Sequence, residues 1–167
     1  MNLCKNEFMR GPVIILTLGL ACLCAALPAM ARTFTGGNGV TVNAPEGWTM
    51  EQSEPASGQL TLISPDQKCL VSIQVIPDIK LSSKEFSEFF SQGVNGSRPE
   101  KVGEDLYSFE AVLASMPLLV FTHAGEVDGF VLMEIGETDS YAAELRLIRA
   151  SLRSDDSTVQ KMLDALK

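Results

Sequence analysis

Lys68-Cys69-Leu70-Val71-Ser72-Ile73-Gln74-Val75-Ile76 is the stretch whose alternation decides the fold. Successive side chains of a strand point to opposite faces, so Cys69, Val71, Ile73 and Val75 share one apolar face while Leu70, Ser72 and Gln74 share the other. The pattern predicts a strand laid on a core. Just upstream, Gln59 to Ser64 alternates with Leu60 and Leu62 on one face, and Pro65-Asp66 turns the chain back. Strands joined so tightly must pair antiparallel. Further upstream, Val40-Thr41-Val42 alternates and stops at Ala44-Pro45-Glu46-Gly47, a turn that delivers Trp48.

Downstream the period changes at Leu81. Ser82-Ser83-Lys84-Glu85 has capping-box spacing, and Phe86, Phe89 and Phe90 recur at i, i+3 and i+4, which predicts an amphipathic helix ending near Gly93. Three extended runs follow the loop Asn95-Gly96-Ser97-Arg98-Pro99. Leu106 to Leu113 is one; Leu118 to Ala124 and Phe130 to Ile135 are the others, joined by the hairpin signal Gly125-Glu126-Val127-Asp128-Gly129. Helical spacing returns at Tyr141, Leu145, Ile148 and Leu152, with a start near Asp139, and again from Ser157 with Val159, Met162, Leu163 and Leu166. One-faced helices need a sheet to cover, so the expected fold is α+β: an antiparallel sheet of about six or seven strands sandwiched by about three helices.

The chain has 167 residues, 46% of them apolar, with a net charge of -8. That composition excludes a disordered tail and a coiled coil, and the acidic balance excludes a phosphate-backbone partner, so no nucleic acid is expected. Lys5 and Arg10 precede a charge-free run from Val13 to Leu27, and Ala29-Met30-Ala31 follows Pro28: basic, apolar, small-x-small, the order of an export signal. The run spans ~22 Å as a helix, short of the ~30 Å bilayer core, so no stable transmembrane anchor is expected. The expected organisation is a cleaved signal peptide over 1–31, a flexible lead-in over 32–39 containing Gly36-Gly37-Asn38-Gly39, and one domain over 40–167, soluble and periplasmic or secreted. A lipid anchor at Cys22 is the alternative. It fits less well, because Gly19 stands where a lipoprotein box wants Leu.

Val40 to Trp48, Ser64-Pro65-Asp66, the Ser-Ser-Lys-Glu-Phe helix start and Leu147-Ile148-Arg149-Ala150-Ser151-Leu152-Arg153 together resemble bacterial secreted members of one superfamily. It is shared by the PsbP extrinsic protein of photosystem II and the Ran-binding guanine-nucleotide-release factor. The resemblance covers most of residues 40 to 153 and rests on turn and core positions. It implies an antiparallel sheet sandwiched by helices and a non-enzymatic binding or assembly role, and it transfers no functional residue.

Removal of 1–31 leaves Cys69 and His123 as the only Cys and His. They invite a nucleophile–base pair, but Cys69 lies in an all-apolar register and reads as an inert core thiol, while His123 reads as a solvated strand-end imidazole. One Cys and one His build no transition-metal site. The acidic boxes Gly125-Glu126-Val127-Asp128-Gly129 and Gly136-Glu137-Thr138-Asp139-Ser140 lie at opposite ends of one predicted strand, on the order of 20 Å apart, and cannot share an ion. Trp48 could stack a ligand but reads first as core. No catalytic, cofactor-binding or metal residue and no cofactor is therefore assigned. The expected function is an exported accessory or binding module with a protein partner in the envelope or outside the cell. The alternative is a small-ligand-binding or acid/base hydrolytic domain using a pocket between sheet and helices.

Overall fold

A computed structural model describes residues 32–36, 39–52 and 59–167. The expected signal segment 1–31 lies outside them. In chain order the elements are β1 (Arg32–Thr35), β2 (Val40–Ala44), β3 (Thr49–Gln52), β4 (Gln59–Ile63), β5 (Cys69–Ile76), α1 (Ser83–Gly93), β6 (Glu100–Lys101), β7 (Leu106–Leu113), β8 (Met116–Ala124), β9 (Gly129–Gly136), a 3-10 turn (Thr138–Tyr141), α2 (Ala142–Ser151), β10 (Arg153–Ser154) and α3 (Ser157–Asp164). The main sheet runs β3-β4-β5-β9-β8-β7-β6, and a small one runs β1-β2-β10. Every described pairing is antiparallel. The molecule is an α+β sandwich. No described helix is long and apolar enough to cross a membrane.

The alternation of β5 places Cys69, Val71 and Ile73 in one core with Leu60, Leu62, Phe130 and Leu132 from neighbouring strands. Leu145, Ile148 and Leu152 close that core from α2 and its end, Val159, Met162 and Leu163 from α3, and Val40 and Val42 from the small sheet. The opposite face of the main sheet packs Phe109, Val120 and Val131 against Phe86 of α1. β9 is central and covered on both faces, which explains its near-continuous apolar run. The capping box forms as read: Ser82 Oγ accepts from the Glu85 amide, and the Glu85 carboxylate accepts from the Ser82 hydroxyl at 2.7 Å and from the Ser82 amide at 2.9 Å, which together hold that carboxyl below its ordinary pKa. Asp156 caps α3, accepting from the amides of Thr158 and Val159.

Four expectations are corrected. Arg32–Thr35 is a strand paired with β2 and no lead-in, and Gly36 donates to the Val40 carbonyl beyond its end. Phe89 is 67% exposed, because α1 turns Ser83, Phe86, Ser87 and Ser91 inward. The helix expected from Asp139 begins as a 3-10 turn without a side-chain cap and becomes α only at Ala142. Leu152 is buried but extended, and it feeds β10 onto β2.

Candidate functional site

The antiparallel register gathers the chemically capable side chains at one end of the main sheet. β8 ends at Ala124, and the turn before β9 is closed by Gly125 donating to the Asp128 carbonyl at 2.8 Å. The loop into β7 folds back beside it, with the Val102 amide on the Leu106 carbonyl and Asp105 at φ +52°. These two turns and α3 enclose an open cleft of about 760 Å³. Glu104, Asp105, Glu126 and Asp164 line it with Lys161, and His123 borders it. Asp164 already pairs with Lys167 and accepts from Gln160, and both contacts hold its carboxyl low.

His123 is 8% exposed, contrary to the solvated reading, because α3 lies across the strand end. Burial pushes the imidazole below its ordinary pKa; Lys161 adds to this, and Asp105 and Glu104 oppose it. Its Nδ1 has no hydrogen-bond partner.

Cys69 sits at the other end. It pairs with Gly136, whereas His123 pairs with Phe130, six residues earlier on the same strand, a separation of about 20 Å at ~3.3 Å per residue. The nucleophile–base couple is not assembled. Burial, then the charges of Glu134, Asp66 and Glu144, push the thiol up to about 12. Native Cys69 is therefore expected to label slowly with a thiol reagent at pH 8 and fast only in denaturant, and Cys69→Ala to lose about 1 kcal/mol. Fast native labelling would contradict the register of β5.

Trp48 is buried and meets Tyr141 edge-on at 5.7 Å between ring centroids, so it serves the core. The Tyr141 hydroxyl donates to Asp66 at 2.6 Å, which lowers the Asp66 carboxyl and raises the phenol. The two acidic boxes fall on the β8–β9 turn and on the approach to the 3-10 turn, at opposite ends of β9. Among the described residues no group of three or more His, Cys, Asp or Glu could hold a metal ion.

Sequence reasoning missed Glu134. Its side chain is 2% exposed within β9, and Arg149 of α2 donates to it at 2.6 Å while stacking 5.4 Å from the Phe121 ring centroid. Burial pushes this carboxyl up against the pull of Arg149. One acid inside the run Phe130 to Ile135 was the available signal. The pair fastens α2 to the sheet and lies outside the cleft lining.

These features define the class: an antiparallel sandwich with the PsbP-like fold and an open, charged cleft at one sheet end. No family model matches the chain, and no curated protein does. Solved structures do. Cyanobacterial PsbP (CyanoP) from Synechocystis sp. PCC 6803 superposes with a TM-score of 0.52 at 13% identity, covering 81% of this chain and 98% of that one. A crystallised protein from Bacteroides thetaiotaomicron gives a TM-score of 0.49 at 14% identity over 77% of this chain, which spans half of that protein's length. LpqN of Mycobacterium tuberculosis, described as involved in cell envelope biogenesis, gives 0.41 at 10% identity over 73% of this chain and 83% of its own. The PsbP likeness establishes the fold.

Proposed function

We propose that this chain is an exported accessory or binding module, freed of residues 1–31 and acting outside the cytoplasm through the domain that begins with β1. It works by holding a partner against the cleft between the β7 and β8 ends and α3, without turnover. One observation carries the reading: the imidazole borders the cleft, while the only thiol of the exported chain is buried about 20 Å away with its pKa raised. What the cleft presents is four carboxylates around one lysine, a surface suited to a partner with a cationic patch.

The test is recovery of partners from envelope fractions by the tagged exported protein. Wild type is expected to retain a protein that Glu126→Lys or Asp105→Lys loses about tenfold or more, because each reversal changes the cleft charge by two at close range. Equal recovery by both variants would contradict the proposal. So would a reproducible hydrolytic activity abolished by one cleft carboxylate substitution.

A further inference from the structure

The end of the sheet opposite the cleft carries an exposed apolar hairpin. No Asp, Glu, Lys or Arg occurs between Glu110 and Glu126, although the chain is otherwise strongly acidic. Within that window residues 112–117 are all exposed, with Val112 at 70%, Leu113 at 45% and Met116 at 36%. Leu113 pairs with Met116, so Ala114 and Ser115 alone make the turn. Both have left-handed φ, +50° and +70°, the geometry that Asn-Gly adopts with least strain. Strain is thus kept at a tip that holds small uncharged residues where a polar turn would be easier to build.

The same end is where the chain enters the fold. Arg32 pairs with Ala44 and lines a small cleft with Trp48 and Thr49. From Thr49 a ladder of paired residues crosses the sheet through Ile63, Leu70, Ile135 and Leu118 to Ala111, at the base of the tip. Arg32, the first described residue, therefore lies at the hairpin end.

We infer that the Val112–Pro117 tip is a shallow insertion element that rests the exported protein on a lipid surface of neutral headgroups. Three large exposed side chains on a convex tip fall far short of the ~20–30 residues a side of a stable protein interface. They match the depth of a bilayer boundary, since the two residues of each strand span about 7 Å with the turn beyond them, and interfacial elements sink ~5–10 Å. Glu110, at the base of the tip, is exposed and marks the waterline. With the acidic excess of the chain, it disfavours anionic lipid. In this orientation the cleft at the far end faces away from the lipid.

The test is flotation of the purified exported protein with phosphatidylcholine vesicles. Wild type is expected to co-float, and Val112→Asp with Met116→Asp to lower the bound fraction about tenfold with an unchanged melting curve. Leu113→Trp is expected to shift its emission to the blue on vesicle addition, and anionic lipid at low salt to reduce binding. The inference is overturned if wild type stays in solution, if the double variant floats equally, or if the tip substitutions abolish capture of a protein while vesicle binding persists. It does not rest on the cleft reading, because cleft variants and tip variants are scored on different ligands.

Discussion

Arg149→Ala is expected to destabilise the protein by about 3–5 kcal/mol, the range for stranding one partner of a buried ion pair. Glu134 is almost fully buried, and among the described residues the only charged group bonded to it is the Arg149 guanidinium. The loss also removes the guanidinium packed on Phe121. Burial raises the Glu134 pKa above its ordinary 4.5, so as pH falls the folded state takes up a proton before the unfolded state does. A raised acid is most favourable below the unfolded value and loses stability as pH rises through the folded one. The deficit of Arg149→Ala should therefore shrink as pH falls toward 4.5. Glu134→Leu with Arg149→Met should recover most of the loss, since an apolar pair of similar volume strands no charge. Urea unfolding followed by the fluorescence of Trp48, the single tryptophan, measures all three; a loss below ~1 kcal/mol would mean that the pair is not buried as described.

Gly136→Ala is expected to cost about 3 kcal/mol or more and to lower the yield of folded protein. Gly136 has φ +98°, and a Cβ there would run into the Lys68 carbonyl oxygen, backbone that cannot swing aside. That carbonyl accepts from the Glu137 amide at 3.0 Å, which fixes the approach. Gly93, at the end of α1, has open space around a Cβ, and Gly93→Ala is the control expected to be neutral or slightly stabilising. Equal melting temperatures for the two variants would contradict the close crossing at Gly136.

What could be read from the sequence was local. The alternation of Cys69 to Ile76, the Ser82–Glu85 box and the Asp128-Gly129 hairpin each state their geometry within a few residues, and each forms as read. The inward face of α1 was misread because apolarity pointed to Phe89, whereas the helix approaches the sheet on small serines. Ser83 Oγ donates to the Ala124 carbonyl and accepts from its amide, and Ser91 Oγ donates to the Ser97 carbonyl. β1 and β10 were unreadable because each exists only by pairing with β2, and β10 does so across more than a hundred residues. The cleft was equally hidden: Asp105, Glu126 and Lys161 carry no common spacing, and only the antiparallel register and the crossing of α3 bring them together. His123 was misjudged for the same reason, since its cover comes from that helix.

The central claim is that the cleft end of the sheet is the working surface. Site-specific photo-crosslinking in the producing cell tests it most directly, with a photoreactive residue at Glu126 in the cleft or at Leu147, 63% exposed on α2 and absent from the cleft lining. A discrete adduct from position 126 and none from position 147 is the predicted result; an adduct from 147 alone, or from neither, would contradict it.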